Sequence, residues 1–372
     1  MKFRIRFSTL SFAIALLWAT HTGAAAPQTE LPPQLESYIE TLEAKIPDLQ
    51  GGAIAILYKG QVVYKKTFGN QKNAHGPITA SSLFPLASVS KPISALAIAM
   101  LVDKGKLSFD EPYKLPYLKN PVTLKNMLSH TTGYKFPGNP EIEKGLGRQK
   151  ILEKLKTEKP ECKPGACYSY SNTTYSLVDD ALKQKKLSLT KAMDGLKKSL
   201  NIDTIQMVPV SSKFEFAYPH RQIKEDDPKL ETLPFPPYYP KAVPAAAGMF
   251  ATLDGMIEFF KISFGYRPDL ISQKTLNLIH SPVIENRDID KWRFDWPIDI
   301  KDVSSYYAIG WRVLKSKDHP GTDFIFHGGG IKGINTFIGF VPSQDIGIII
   351  LLNQNSKVAS ESGIAFWGEF LK

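Results

Sequence analysis

Three short clusters of residues hold the chemistry available to this 372-residue chain. The first is Ser88-Val89-Ser90-Lys91. It precedes an alanine-rich apolar stretch, Pro92 to Val102, with proline near its start and Lys104-Gly105 at its end, which is the asymmetry of a helix. A separation of three on a helix puts Ser88 and Lys91 on one face, so the amine can reach the hydroxyl. Serine is a weak nucleophile until a neighbouring base takes its proton, and lysine can serve when burial or another cation lowers its pKa. The helix N-terminus that this reading gives Ser88 adds backbone N–H groups able to hold an oxyanion. The second cluster is Tyr170-Ser171-Asn172, on a loop leading into a helix. A phenol near a lysine can pass a proton, and an asparagine amide can donate to a substrate carbonyl and accept from its N–H. The third, His327-Gly328-Gly329-Gly330, stands at the end of a strand just before Gly333. Its glycines let an extended ligand lie against backbone edge groups.

Each cluster alone has a plainer reading. Ser-x-x-Lys recurs at Ser188-Leu189-Thr190-Lys191, which follows a basic polar run and reads as an N-cap before a surface helix. Tyr-x-Asn alone is a packed aromatic with a turn asparagine, and the glycine box alone is a turn with a surface histidine. Taken together, in this order and separation, the three resemble the β-lactamase and penicillin-binding serine hydrolases. Within that family the chain is most similar to the class C β-lactamases and the related D-Ala-D-Ala peptidases and esterases. The flanks share the resemblance: Leu83-Phe84, the stretch Thr123 to Gly133, Ala246-Ala247-Gly248-Met249, Gly310-Trp311 and Gly339-Phe340-Val341-Pro342.

The resemblance implies Ser88 as nucleophile, Lys91 and Tyr170 as a proton-shuttling pair, and Asn172 as a contact for a substrate amide. It implies that His327 and Gly329 contact substrate, that His327 also tunes the proton network, and that the Ser88 and Gly330 N–H groups form the oxyanion hole. His130 reads as structural. Class C enzymes usually carry Lys-Thr-Gly where this chain has His327-Gly328-Gly329, so a fixed cation and a hydroxyl for a β-lactam carboxylate are missing. The glutamine expected after Gly133 has no clear counterpart in Tyr134 to Asn139.

These residues need a scaffold, and the expected one is α/β (α+β): an antiparallel sheet flanked by helices, with a mainly helical domain inserted and the site between them. Gly52–Tyr58 and Gln61–Phe68 read as a hairpin turning at Lys59-Gly60. Strands return at Tyr306–Leu314, Phe324–His327, Ile334–Val341 and Ile346–Asn353, before a helical pattern from Val358 to Leu371. The sheet part is expected in residues 27–118 and 262–372 and the helical part in 119–261. The segments Gly133 to Pro140 and Pro228 to Pro244 are expected to border the cleft.

Lys2, Arg4 and Arg6, an apolar run from Leu10 to Ala19 and the small residues Gly23 to Ala26 form a signal-peptide pattern over residues 1–26. The expected location is periplasmic or secreted, with no membrane attachment after cleavage. The formal charge is +10, and three of those positive charges lie in that segment, which leaves +7. The positives are dispersed without interleaved aromatics, so no nucleic-acid partner is expected. In an oxidising compartment the two cysteines, Cys162 and Cys167, can bridge across the turn Pro164-Gly165, two free thiols being the alternative. The seven histidines lack His-x-x-x-His spacing, so neither metal nor cofactor is implied, and no Gly-x-Ser-x-Gly elbow points to an α/β-hydrolase. The expected partner is a small amide, ester or peptide substrate. A β-lactamase-like activity ranks before a D-Ala-D-Ala carboxypeptidase and a short-chain esterase. A non-catalytic binder of wall peptides or antibiotics is the rival of another class.

Overall fold

The computed structural model describes residues 31–72, 75–200, 204–207, 215–223, 229–234, 238–286 and 303–372. The signal pattern at 1–26, Pro228 and residues 235–237 of the expected cleft segment lie outside the described residues.

A nine-stranded antiparallel sheet forms the centre. In chain order its strands are β1 (Gly51–Tyr58), β2 (Gln61–Lys72), β3 (His75–Pro77), β4 (Ile284–Glu285), β5 (Val303–Tyr307), β6 (Arg312–Ser316), β7 (Phe324–Ile331), β8 (Ile334–Val341) and β9 (Ile346–Leu352). Their order in space is β4-β5-β6-β7-β8-β9-β1-β2-β3, so the early hairpin joins the sheet through the last strand, with Gly52 opposite Leu352 and Tyr58 opposite Ile346. Lys59 and Gly60 both have positive φ, 47° and 73°, the backbone of a tight two-residue hairpin turn.

Both sheet faces are covered, which explains the unbroken apolar run of β9. Ile349 and Leu351 join the core that holds Ile93, Leu96 and Phe260. Ile346, Ile348, Ile350 and Leu352 face the other way and pack with Leu35, Tyr38 and Trp367 of the Pro33–Glu43 and Val358–Gly368 helices. The Ser90–Asp103 helix is buried along nearly its whole length, so it is apolar all round rather than on one stripe. It ends at Gly105 (φ 66°): the Gly105 N–H donates to Val102 O and the Lys106 N–H to Leu101 O, the paired bonds of a Schellman cap.

Two strand readings need correction. Tyr306–Leu314 is not one strand but β5 and β6, separated by a turn at residues 308–311. The cause is Gly310, at φ 80°, where an added Cβ would lie 2.5 Å from Ala95 Cβ; the chain turns there because it touches the Ser90–Asp103 helix. The strand read as ending at His327 continues through the three glycines to Ile331, since β8 pairs with it along Ile325 to Ile331. Ser188 does cap a helix, its Oγ accepting the Lys191 N–H, with Lys191 exposed.

The Cys162–Cys167 disulfide is present. Its loop packs on Thr131 to Gly133: the Gly165 N–H donates to Thr131 O and the Glu161 N–H to Gly133 O. Among the described residues no helix is long and apolar enough to cross a membrane.

Candidate active site

Ser88 lies in a 3-10 turn, Ala87–Val89, and the α-helix begins two residues later at Ser90. The sequence places Ser88 at the helix start itself; the difference comes from Ala87, whose φ of 48° interrupts a regular entry. Three bonds hold the turn. Ser90 Oγ donates to Ala87 O (2.6 Å) and accepts the Met249 N–H (3.0 Å), and Thr336 Oγ1 of β8 donates to Leu86 O (2.8 Å). A Cβ on Gly329 would sit 2.5 Å from Leu86 O and 3.1 Å from the Ser88 nitrogen, so only glycine lets β7 pass this close. β6 pairs with β7 only at Phe324 to Phe326. Among the described residues, the outer edge of β7 is therefore open from His327 onward, beside Ser88.

Lys91 is fully buried. Its Nζ lies 3.1 Å from Ser88 Oγ, 2.6 Å from Asn172 Oδ1 and 3.0 Å from Ala246 O. Burial first, and the Arg312 cation second, hold its pKa well below the ordinary lysine range. A neutral amine has two N–H groups and one lone pair. Asn172 Oδ1 and Ala246 O can only accept, so in the neutral form of Lys91 they take the two N–H groups, and the lone pair remains for the Ser88 hydroxyl. On its other side Ser88 Oγ accepts from Tyr170 Oη at 2.9 Å. Burial raises the Tyr170 pKa, with Arg312 and the Ser88 bond only partly opposing it, so the phenol keeps its proton.

Asn172 has both amide ends engaged, since its Nδ2 donates to Asn139 Oδ1 at 2.7 Å. Asn139 thus brings the loop after Gly133 to the site. Gly138 (φ 75°) permits the approach; a Cβ there would meet Thr173 Oγ1 at 2.2 Å.

His327 is buried at 1% exposure. Its Nδ1 lies 2.7 Å from Gly328 O and its Nε2 2.9 Å from Tyr307 Oη. A carbonyl only accepts, so the proton sits on Nδ1 and Nε2 accepts from Tyr307. Burial, then Lys91 and Arg312, hold its pKa well below the usual histidine value, and the box presents no cation. Gly330, the other oxyanion-hole candidate, is exposed on the same open strand.

The sequence reading missed Arg312 and Tyr307. The Arg312 guanidinium carbon lies 5.3 Å from the Tyr170 ring centroid and 5.6 Å from that of Tyr307, while Lys91 Nζ is 4.5 Å from the Tyr170 centroid. A signal existed: Arg312 is the one charged residue in Tyr306–Leu314 and follows the matching Gly310-Trp311.

A cavity of about 640 Å³ opens elsewhere, lined by Tyr266, His280, Lys315, Asp323, Phe340 and Asp345 among others, and it contains none of these groups. Its charges are satisfied locally: Lys315 pairs with Asp323 at 2.7 Å and Tyr266 Oη donates to Asp345. The reactive cluster, not that hollow, therefore marks the candidate site. Among the described residues no group of three or more His, Cys, Asp or Glu side chains is placed to hold a metal ion.

The arrangement has counterparts. The Beta-lactamase family model matches residues 39–366. A β-lactamase of Escherichia coli (strain K12) is 26% identical over 343 residues, 84% of this chain and 85% of that protein. The octameric penicillin-binding protein homologue from Pyrococcus abyssi superposes with a TM-score of 0.74 at 22% identity, over 91% of this chain and 77% of that one. The β-lactamase/D-alanine carboxypeptidase from Pseudomonas syringae gives 0.68 at 18% identity, over 91% and 98%. These structures share the antiparallel sheet with flanking helices, and with the family model spanning most of its length, the chain belongs to the Beta-lactamase family.

Proposed function

We propose that this protein is an exported serine hydrolase, of the class C type, that forms an acyl-enzyme on Ser88 and cleaves β-lactam or related amide bonds. The observation that carries the reading is Ser88 Oγ held between a buried lysine amine, its pKa pushed down, and a buried phenol, its pKa pushed up. Lys91 Nζ takes the hydroxyl proton as Oγ bonds to the acyl carbon. The developing oxyanion is held by the Ser88 and Gly330 N–H groups, the former at the onset of a turn whose first N–H groups lack intrahelical acceptors. As the tetrahedral centre collapses, Tyr170 Oη gives its proton to the leaving nitrogen or oxygen, and the proton held by Lys91 restores the Tyr170 phenol. Water then attacks the ester, the Lys91–Tyr170 pair takes its proton, and that proton goes to Ser88 Oγ as its bond to the acyl carbon breaks. The open edge of β7 lies where an extended amide would align by strand-like hydrogen bonds.

A second reading, a D-Ala-D-Ala carboxypeptidase or short-chain esterase, is favoured by one feature. His327 is neutral and its nitrogens are engaged by Gly328 O and Tyr307, so it does not provide the cation a β-lactam carboxylate would meet. Time-resolved intact mass of the mature protein, mixed separately with a penicillin and with p-nitrophenyl acetate, tests both. A penicillin adduct that decays quickly supports the β-lactamase, and a persistent one a peptidase-like enzyme. Acetyl turnover without a penicillin adduct supports the esterase. No adduct and no turnover with either would leave a silent binding protein and sink the enzyme reading.

The electrostatics make a separate prediction. Lys91 and Arg312 flank one ring and are at most about 10 Å apart. Arg312→Met removes a charge that opposes protonation of Lys91, so the Lys91 pKa rises. The acid limb of kcat/KM is expected to move to higher pH, as measured by a pH–rate profile beside wild type.

A further inference from the structure

We infer that His130 is the positioning residue that sets the Tyr170 phenol against Ser88, gripping its backbone on both sides and its ring from behind. The inference rests on the reading of the site given above. His130 has a φ of 59°, a backbone that few non-glycine residues adopt, and it is fully buried. That conformation turns its carbonyl and its imidazole toward one segment. His130 O accepts the Ser169 N–H at 2.8 Å and His130 Nδ1 accepts the Ser171 N–H at 3.1 Å, so the residues on either side of Tyr170 are tied to one side chain and its own backbone. The imidazole also lies against the Tyr170 ring, with centroids 4.2 Å apart.

A backbone N–H only donates, so Nδ1 must be bare and the ring proton sits on Nε2. Nε2 is buried without a hydrogen-bond partner among the described residues. The ring is instead held by packing, edge-on to Tyr307 at 4.7 Å and tilted against Tyr175 at 5.3 Å. Burial first, with the Arg312 cation adding to it, keeps the imidazole neutral, as the bare Nδ1 requires. Phenylalanine could fill the ring's space but offers no acceptor. Asparagine offers an acceptor and tolerates positive φ, but has no ring. The two halves of the grip can therefore be separated by substitution.

The experiment is a double-mutant cycle of His130→Ala with Tyr170→Phe, alongside His130→Asn and His130→Phe. Turnover of p-nitrophenyl acetate and of a chromogenic cephalosporin is measured, and each variant's fold is checked by circular dichroism and thermal melting. His130→Ala is expected to lower kcat about 10- to 100-fold with KM changed less than about 3-fold. In the Tyr170→Phe background the same change should cost less than about 3-fold, because the group it positions is gone. His130→Asn should recover most of the loss and His130→Phe little of it. Equal losses in both backgrounds, with Tyr170→Phe itself impaired, would overturn the role of His130 and leave the site reading standing. A fully active Tyr170→Phe would bring down the site reading and this inference with it. If His130→Ala does not fold, the ranking of His130→Asn above His130→Phe carries the test, and the reverse ranking overturns it.

Discussion

Ser88→Ala is expected to lose the covalent adduct entirely and to lower turnover of any substrate by at least about 10⁴-fold, with substrate binding preserved. The substitution removes one oxygen that is part-buried and hydrogen-bonded to Lys91 and Tyr170. Those two partners have other contacts: Lys91 keeps Asn172 and Ala246, and the Tyr170 ring keeps its packing on His130. The fold should therefore survive, with a melting temperature near that of wild type. The decisive measurement is intact mass under the conditions that label wild type. An adduct of equal mass on the variant would place the nucleophile elsewhere and end the assignment.

Lys91→Met should come next in size, slowing acylation by roughly 10³-fold. Methionine matches the length of the lysine stem without a base, so lost rate can be read as lost proton acceptance rather than a cavity. Two opposing terms act on stability. The Asn172 and Ala246 oxygens lose a donor, at about 1–3 kcal/mol each for a buried unsatisfied group. Against that, a desolvated amine beside Arg312 disappears. Stopped-flow acylation and a melting curve on the same preparation separate chemistry from folding. Acylation within about 10-fold of wild type in a folded variant would pass the base role to another group, Tyr170 being the nearest.

Much of the architecture was legible because apolar patterning and turn chemistry are local. The Ile334–Val341 strand, the Lys59-Gly60 turn and the helix ending at Gly105 stand where the sequence puts them. The errors share a cause. Gly310 forces a turn because Ala95, far away in sequence, lies against it, and the glycines after His327 stay in a strand because β8 pairs with them. Ala95 lies outside any window of sequence around Gly310, and the hairpin pairing with β8, though close in sequence, overrides the weak strand preference of the glycines. Arg312 was passed over for the same reason, since a lone charge in an apolar run reads as a snorkelling surface residue until Tyr170 and Tyr307 are seen beneath it. His130 read as structural; its grip on Ser169 and Ser171 depends on a positive φ that its residue type does not announce.

By itself the sequence determined the inventory: a serine three residues before a lysine, a tyrosine two before an asparagine, a histidine before three glycines, in the order that marks the family. Covalent composition and spacing are enough for that. Only the tertiary structure decided the proton affinities on which the chemistry turns, with those of Lys91 and His327 pushed down and that of Tyr170 pushed up. The reason is physical. A pKa depends on the water excluded from a group and the charges brought near it, and folding sets both, bringing Arg312 to Lys91 from 221 positions along the chain.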